Sequence, residues 1–228
     1  MITLAFDVYG TLIDTAGVVA ALRDKIGEQA NHASELWRSK QLEYSFRRGL
    51  MQNYSDFAVC TRQALDYVCS SMDLKLNENE REQLLASYRS LPAFDDVATG
   101  LEACRAAGMK LYAFSNGRPD DVQGLLDQAG IRDFFNDVVS TDEIRSFKPN
   151  PGVYSHFLRR ANCTGAEAWL ISGNPFDVIG AISAGMSGAW VQRNPATVFD
   201  PWGIEPDLRI NSLQQLAAAI NDQRGNPA

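Results

Sequence analysis

The sequence predicts an α/β protein, an open parallel sheet covered by helices, with a helical subdomain inserted after the first strand. Short β-branched or apolar runs alternate with longer amphipathic stretches, the spacing of parallel βαβ units. The segment 16–91 breaks that rhythm with several helical stretches and no strand pattern. Residues able to do chemistry recur just after successive strand-like runs, where an open sheet builds its sites.

Strands are expected at Thr3–Asp7, Lys110–Ser115, Asp137–Ser140, Ala168–Ser172 and Ala189–Gln192. Between them, the amphipathic stretches Val97–Ala107 and Asp120–Ala129 stop at Gly108 and Gly130. A glycine just past a helix takes the left-handed conformation without steric penalty, so both mark helix ends. In the insertion, helices are expected at Val18–Gly27, Ser34–Leu50, Tyr54–Met72 and Asn79–Ser90, and Pro92 closes it. The expected organisation is a core of 1–15 and 92–228 with a cap of 16–91. Gly225–Ala228 reads as a frayed tail.

With 228 residues, 45% of them hydrophobic, the chain can bury a sizeable core. Its 21 basic against 28 acidic residues, net −7, argue against nucleic acid or an anionic membrane as the main partner. A small anion stays open, because a few placed cations can dominate a pocket. The first ten residues hold Asp7 and no Lys or Arg, unlike a signal peptide. No apolar run approaches the ~18–20 residues of a membrane span. Cys60, Cys69, Cys104 and Cys163 lack metal-type spacing, and His32 and His156 are the only histidines, too few for a histidine-rich metal site. A soluble, reduced, cytoplasmic protein is expected.

Asp7 ends the first strand and is followed by Val8, Tyr9 and a turn around Gly10 and Thr11. The second strand ends in Ser115-Asn116-Gly117, and FKPNPGVY carries Lys148 and Tyr154. ISGNPFDVIGA supplies Ser172, Asn174, Phe176 and Asp177. Singly, each has a structural reading: Asp7 and Asp177 can cap a turn or a helix, Ser115-Asn116-Gly117 can be a plain turn, and Lys148 a solvated loop lysine. Together they set a carboxylate, a hydroxyl, a lysine and a second carboxylate on one edge.

This order, DVYGTL then SNG then KP then SGNPFD, resembles the haloacid dehalogenase superfamily, whose nucleophile is the aspartate after the first strand. The resemblance implies a Rossmann-like, HAD-like core with a helical cap. Most members of that superfamily are phosphatases, in which a second aspartate, two residues after the nucleophile, protonates the leaving alcohol and magnesium bridges nucleophile and phosphate. Here Tyr9 stands at that place, and Gly173-Asn174-Pro175-Phe176-Asp177 brings one acid where phosphatases bring two. A hard cation wants several oxygen ligands, so neither metal nor cofactor is expected. In the insertion, Leu36–Tyr44 reads Leu-Trp-Arg-Ser-Lys-Gln-Leu-Glu-Tyr. It is similar to the cap of the type II (S)-2-haloacid dehalogenases at every position but the variable one. The core motifs resemble that subfamily too, and the likeness runs to about Ile220. Gly173 departs from its usual second serine, removing a hydrogen bond near the base, and Phe176 departs from its common tryptophan.

The resemblance implies hydrolysis of short (S)-2-haloalkanoic acids to (R)-2-hydroxyalkanoic acids through an aspartyl ester. A halide leaves as a stable anion and needs no general acid, and a second carboxylate beside the nucleophile would repel an anionic substrate. Covalent catalysis splits the displacement into two steps. In the implied roles Asp7 is the nucleophile, Lys148 holds it ionised, and Thr11 and Tyr154 support both by hydrogen bonds. Ser115 and main-chain N–H groups hold the substrate carboxylate, and Val8, Tyr9 and Phe57 line the substrate. Arg38 and Asn116 cradle the halide against Phe176, while Asp177, positioned with Ser172 and Asn174, activates water. Trp37 and Phe46 read as packing, Arg47 and Arg48 as a solvated face, and Leu36, Leu42 and Leu50 as a stripe serving a homodimer. The alternatives are a magnesium-dependent phosphatase of the same fold, a dehalogenase specialised for haloacetates including fluoroacetate, and a binding module on a retired catalytic fold.

Overall fold

Six strands run parallel in one sheet: β1 (Thr3–Phe6), β2 (Lys110–Ser115), β3 (Asp137–Ser140), β4 (Ala168–Ser172), β5 (Ser187–Val191) and β6 (Leu208–Ile210). Their order is β3-β2-β1-β4-β5-β6, so the chain reverses direction across the sheet at β1. The computed structural model describes residues 1–225. As a central strand of a doubly covered sheet, β1 is buried on both faces. Leu4 and Phe6 pack into the larger apolar cluster, while Ala5 faces the other side with Phe114, Tyr154 and Phe157.

The first four strands lie where the sequence predicts them, within a residue. β5 starts at Ser187 rather than Ala189, since Ser187 and Gly188, poor strand formers, are carried by pairing with Trp169 and Leu170. β6 was not expected; at three residues it is too short to show a readable alternation. In the core, α6 (Pro119–Gln128), α7 (Pro151–Ala161) and α8 (Pro175–Ser183) each open on proline. Proline suits the first helical turn, where its missing N–H costs nothing. α5 (Val97–Ala106) and α9 (Leu216–Gly225) complete the layers. Gly225 closes α9; the rest of the expected tail, 226–228, lies outside the described residues.

The insertion forms α1 (Ala16–Ile26), α2 (Ala30–Met51), α3 (Phe57–Ser71) and α4 (Glu78–Ser87). α3 begins three residues later than expected because Asp56 is its N-cap, accepting from Val59 N at 2.9 Å. Asn77 and Glu80 form a reciprocal capping box at the start of α4. The chain leaves for these helices and returns side by side: Asp14 N donates to Pro92 O at 2.8 Å and Phe94 N to Leu12 O at 3.0 Å. The expected stripe on α2 is divided. Leu36 packs against the main apolar cluster and Leu42 lines the site described below, leaving Leu50 exposed. Among the described residues, no helix is long and apolar enough to cross a membrane.

Candidate active site

Asp7 stands just beyond β1, its N–H still bonded to Ile171 O of β4 at 2.9 Å. The chain then folds back on itself, with Val8 O accepting from Thr11 N, Leu12 N and Ile13 N at 3.3, 3.0 and 2.9 Å. Gly10 makes that turn possible at φ +77°, a conformation L side chains avoid. The turn returns Thr11 Oγ1 to Asp7 Oδ2 at 2.7 Å, and the same hydroxyl accepts from Gly173 N at 2.8 Å.

The two oxygens of Asp7 are unequal. Oδ2 accepts from Thr11, Asn174 Nδ2 at 2.7 Å and Ser172 Oγ at 3.2 Å. Among the described residues, Oδ1 has only Lys148 Nζ, at 3.2 Å. Lys148, fully buried, donates at 2.7 Å to Asp177 Oδ2 and at 2.8 Å to Phe114 O. Asp177 Oδ1 accepts from the Tyr154 hydroxyl at 2.8 Å. One ammonium thus bridges two buried carboxylates. Burial pushes the Asp7 carboxyl up, but the Lys148 charge, the Thr11 and Lys148 hydrogen bonds and Arg38 outweigh it and hold it below the usual range. Asp177 goes the other way, to about 6: burial and the Asp7 charge raise it more than Lys148 and Tyr154 lower it. Burial opposes the Lys148 charge, yet Asp177 and Asp7 together hold its ammonium above its ordinary value.

Of the implied grouping of Ser172 and Asn174 with Asp177, the geometry shows one link, Asn174 O accepting from Asp177 N at 3.1 Å, while both side chains turn elsewhere. Both donate to Asp7, because the end of β4 lies beside the end of β1, while Asp177 sits in the first turn of α8 and its carboxylate is held by Tyr154 and Lys148. Over Asp7 lies a cavity walled by Tyr9, Arg38, Leu42, Phe57, Asn116 and Phe176, among others. It offers about 20 Å³ to the centre of a water-sized sphere, room for about one water. Val8 supplies no side chain to it, being buried in the core. Its N–H and that of Tyr9 make no main-chain hydrogen bond among the described residues. Ser115 lines the cavity, its Oγ accepting from Gly117 N at 3.1 Å with its own proton free to be donated. Asn116 Oδ1 accepts from Lys148 N at 2.9 Å and Thr141 Oγ1 at 3.1 Å, which leaves its amide nitrogen as the donor for the cavity.

From the cap, Arg38 reaches over the strand ends to Asn174 Oδ1 at 3.3 Å and donates to Gln41 Oε1 at 2.8 Å. Gln41 is pinned in turn by Thr61 Oγ1 at 2.6 Å. Phe176 forms one wall, backed by Phe46 edge-on at 5.0 Å. Trp37 is packed in the interior, its indole N–H on Thr61 O at 2.8 Å. Arg47 pairs with Glu43 on the surface, but Arg48 does more than face solvent: it ties Asn53 O, Ser55 and Gln63 together. A second cleft of about 280 Å³ between cap and core shares Tyr9 and Phe57 as walls.

Residues 2–185 match the family model of hydrolases described as haloacid dehalogenase-like. The chain belongs to the haloacid dehalogenase-like hydrolases. It is 34% identical over 218 residues to (S)-2-haloacid dehalogenase 2 of Pseudomonas sp. (strain CBS-3), covering 96% of this chain and 95% of that protein. It is also 34% identical to haloacetate dehalogenase H-2 of Moraxella sp. (strain B), over 95% of this chain and 96% of that one. The L-2-haloacid dehalogenase of Xanthobacter autotrophicus superposes with a TM-score of 0.87 at 32% identity, covering 97% of this chain and 99% of that one. The same enzyme with chloropropionic acid covalently bound gives the same score.

A divalent cation does not fit this haloacid dehalogenase-like site. Lys148 Nζ sits between the two carboxylates, at 3.2 and 2.7 Å, and Tyr9 replaces an acid with a phenol that burial keeps protonated. Several members of the site escaped the sequence reading. Gln41 and Thr61 steady Arg38, Thr141 steadies Asn116, and Leu42 walls the cavity. Only Gln41 had a signal, its i+3 spacing from Arg38 on one helix. Gly180 also matters: a Cβ there would collide with the Tyr154 hydroxyl that reaches Asp177.

Proposed function

We propose that this chain hydrolyses short (S)-2-haloalkanoic acids to (R)-2-hydroxyalkanoic acids through an ester on Asp7. One observation carries the reading: Asp7, with three donors on Oδ2 and Lys148 alone on Oδ1 among the described residues, lines a small cavity with cationic and amide donors. The likeness to named haloacid dehalogenases supports it.

Asp7 Oδ1 attacks C2 from behind the carbon–halogen bond, and the bonding pair leaves with the halide. Ser115 and the Val8 and Tyr9 N–H groups hold the substrate carboxylate; Arg38 and the Asn116 amide receive the halide against Phe176. No proton is needed, which suits the phenol at position 9. The ester is neutral, so Lys148 loses one of its two carboxylates, and the place it closes between Asp7 and Asp177 can admit water. Asp177 takes a proton from that water as it adds to the Asp7 carboxyl carbon. The tetrahedral adduct collapses, the alkoxide takes the proton held by Asp177, and the regenerated Asp7 acid releases its proton to solvent. Haloacid and water become hydroxyacid, halide and a proton, with one inversion at C2.

The reading includes a core of 1–15 and 92–228 capped by 16–91, a cytoplasmic setting and a homodimer. The dimer is supported by Leu50 and Met51, exposed at the end of α2, and light scattering on the eluting protein tests it. The narrow cavity and the haloacetate-named relative favour two- and three-carbon acids. The deciding assay sets halide release from both enantiomers of 2-chloropropionate, with EDTA present, beside p-nitrophenyl phosphate with magnesium. Metal-independent release from the (S) form alone is expected. Metal-dependent phosphate release without halide release would overturn the reading in favour of a phosphatase.

A further inference from the structure

Arg193 lies just past β5, behind the site rather than in it. Its guanidinium is mostly buried and makes three sets of contacts at once. Nη1 donates to both carboxylate oxygens of Asp96 at 2.7 Å. Nε and Nη2 converge on the carbonyl of Thr11, at 3.1 and 2.7 Å. The plane lies over the Phe94 ring at 4.3 Å. Asp96 is fixed independently, accepting Leu213 N at 2.7 Å.

These contacts fall on the two segments that join cap to core. Thr11 belongs to the outgoing segment; Phe94 and Asp96 belong to the returning one, and Phe94 N already donates to Leu12 O at 3.0 Å. Thr11 is also the residue whose hydroxyl is shared between Asp7 Oδ2 and Gly173 N, at 2.7 and 2.8 Å. A planar fork on the Thr11 carbonyl therefore sets the orientation of the peptide that aims this hydroxyl. A lysine, with one donating centre, cannot hold the carbonyl and the Asp96 carboxylate in the same way.

We propose that Arg193 is a positioning residue for the nucleophile: through the Thr11 carbonyl it keeps the Thr11 hydroxyl on Asp7 Oδ2, so that Oδ1 is the oxygen presented to substrate. This rests on the dehalogenase reading for its kinetic consequence and on geometry alone for the clamp.

The test is a double-substitution cycle of R193Q and T11V, with R193K as the conservative variant. Loosening the aim of a nucleophile by part of an ångström costs about 10- to 100-fold. R193Q is expected to lower kcat on (S)-2-chloropropionate by that factor, with little change in KM, and R193K to recover part of it. In the T11V background R193Q should cost less than about threefold, because coupled residues are not additive. Equal factors in both backgrounds, or a change in KM alone, would overturn the proposal. Amide exchange supplies a readout free of turnover. Gly173 N–H should exchange at least ~10-fold faster in R193Q or R193K, while Gly188 N–H, bonded to Asp207 at 2.7 Å, should not. If wild type releases no halide the dehalogenase reading fails, and this comparison alone decides the clamp. Equal acceleration at both amides rejects it.

Discussion

Replacing Lys148 with methionine removes the one ammonium between Asp7 and Asp177 and keeps a side chain of similar length. At 3.2 and 2.7 Å, and an effective dielectric constant of about 20, the lost attractions are about 5 and about 6 kcal/mol gross. Most of that is offset in the wild type by the cost of taking the ammonium out of water. The expected net loss is the amount found when one member of a buried pair is deleted, about 3–5 kcal/mol. Its pH dependence is the sharper signature. In the wild type the Asp7 carboxyl sits below its ordinary value, so its contribution is present above the unfolded pKa of about 3.9 and lost as pH falls through the lowered one. Asp177, at about 6, already costs the wild type some stability as pH rises through the range between its unfolded and folded values. In K148M both carboxylates lack a cation, so burial lifts Asp7 above the unfolded value and Asp177 further above it. The folded variant then holds protons that the unfolded chain has released, and it loses stability as pH rises. Urea unfolding at about pH 5 and pH 8 should show a wild-type-to-variant gap that is wider at the higher pH, together with loss of halide release. An equal gap at both would refute the shared-ammonium picture.

Asp177 must be ionised to take a proton from water, so with ester hydrolysis limiting, kcat should fall at acid pH and stay level above. The limb should lie below the value of about 6 of the free enzyme, because the neutral ester removes the Asp7 charge that helps raise Asp177. D177N should abolish that limb and release about one equivalent of halide per site in a rapid burst, a result read with a halide electrode in a stopped-flow cell. G173S should lower kcat by about tenfold or more, since the Gly173 N–H helps seat the Thr11 hydroxyl. A Cβ at position 173 would run into the carbonyl oxygen of Gly10, so the serine can enter only if the turn after Asp7 moves. Unchanged kcat in G173S would show that the turn tolerates the shift.

Much of this architecture was legible in the chain because the core repeats one physical pattern. β1, β2, β3 and β4 are short, largely buried apolar runs, and the core's site residues stand at their ends or after them, while Arg38 and Phe57 come from the insertion. Pro119, Pro151 and Pro175 mark the helices that follow three of the site-bearing loops. What stayed hidden depends on which side chain faces which across the sheet. Ser172 and Asp177 are five residues apart, yet the first serves Asp7 and the second serves Lys148 and Tyr154. Leu42 and Leu50 share a helix, but only Leu42 turns to the site. Arg193 stands in no motif, and the closeness of the two cap connections gives it its partners.

The ester on Asp7 can be tested most directly by a single turnover in oxygen-18 water, with enzyme in excess over (S)-2-chloropropionate. The hydroxyl of the lactate formed should carry ordinary oxygen, drawn from Asp7, and the label should appear in the peptide containing Asp7 after digestion. Labelled hydroxyl in that first turnover, with Asp7 unlabelled, would mean that water attacks the substrate carbon directly and would contradict a covalent route.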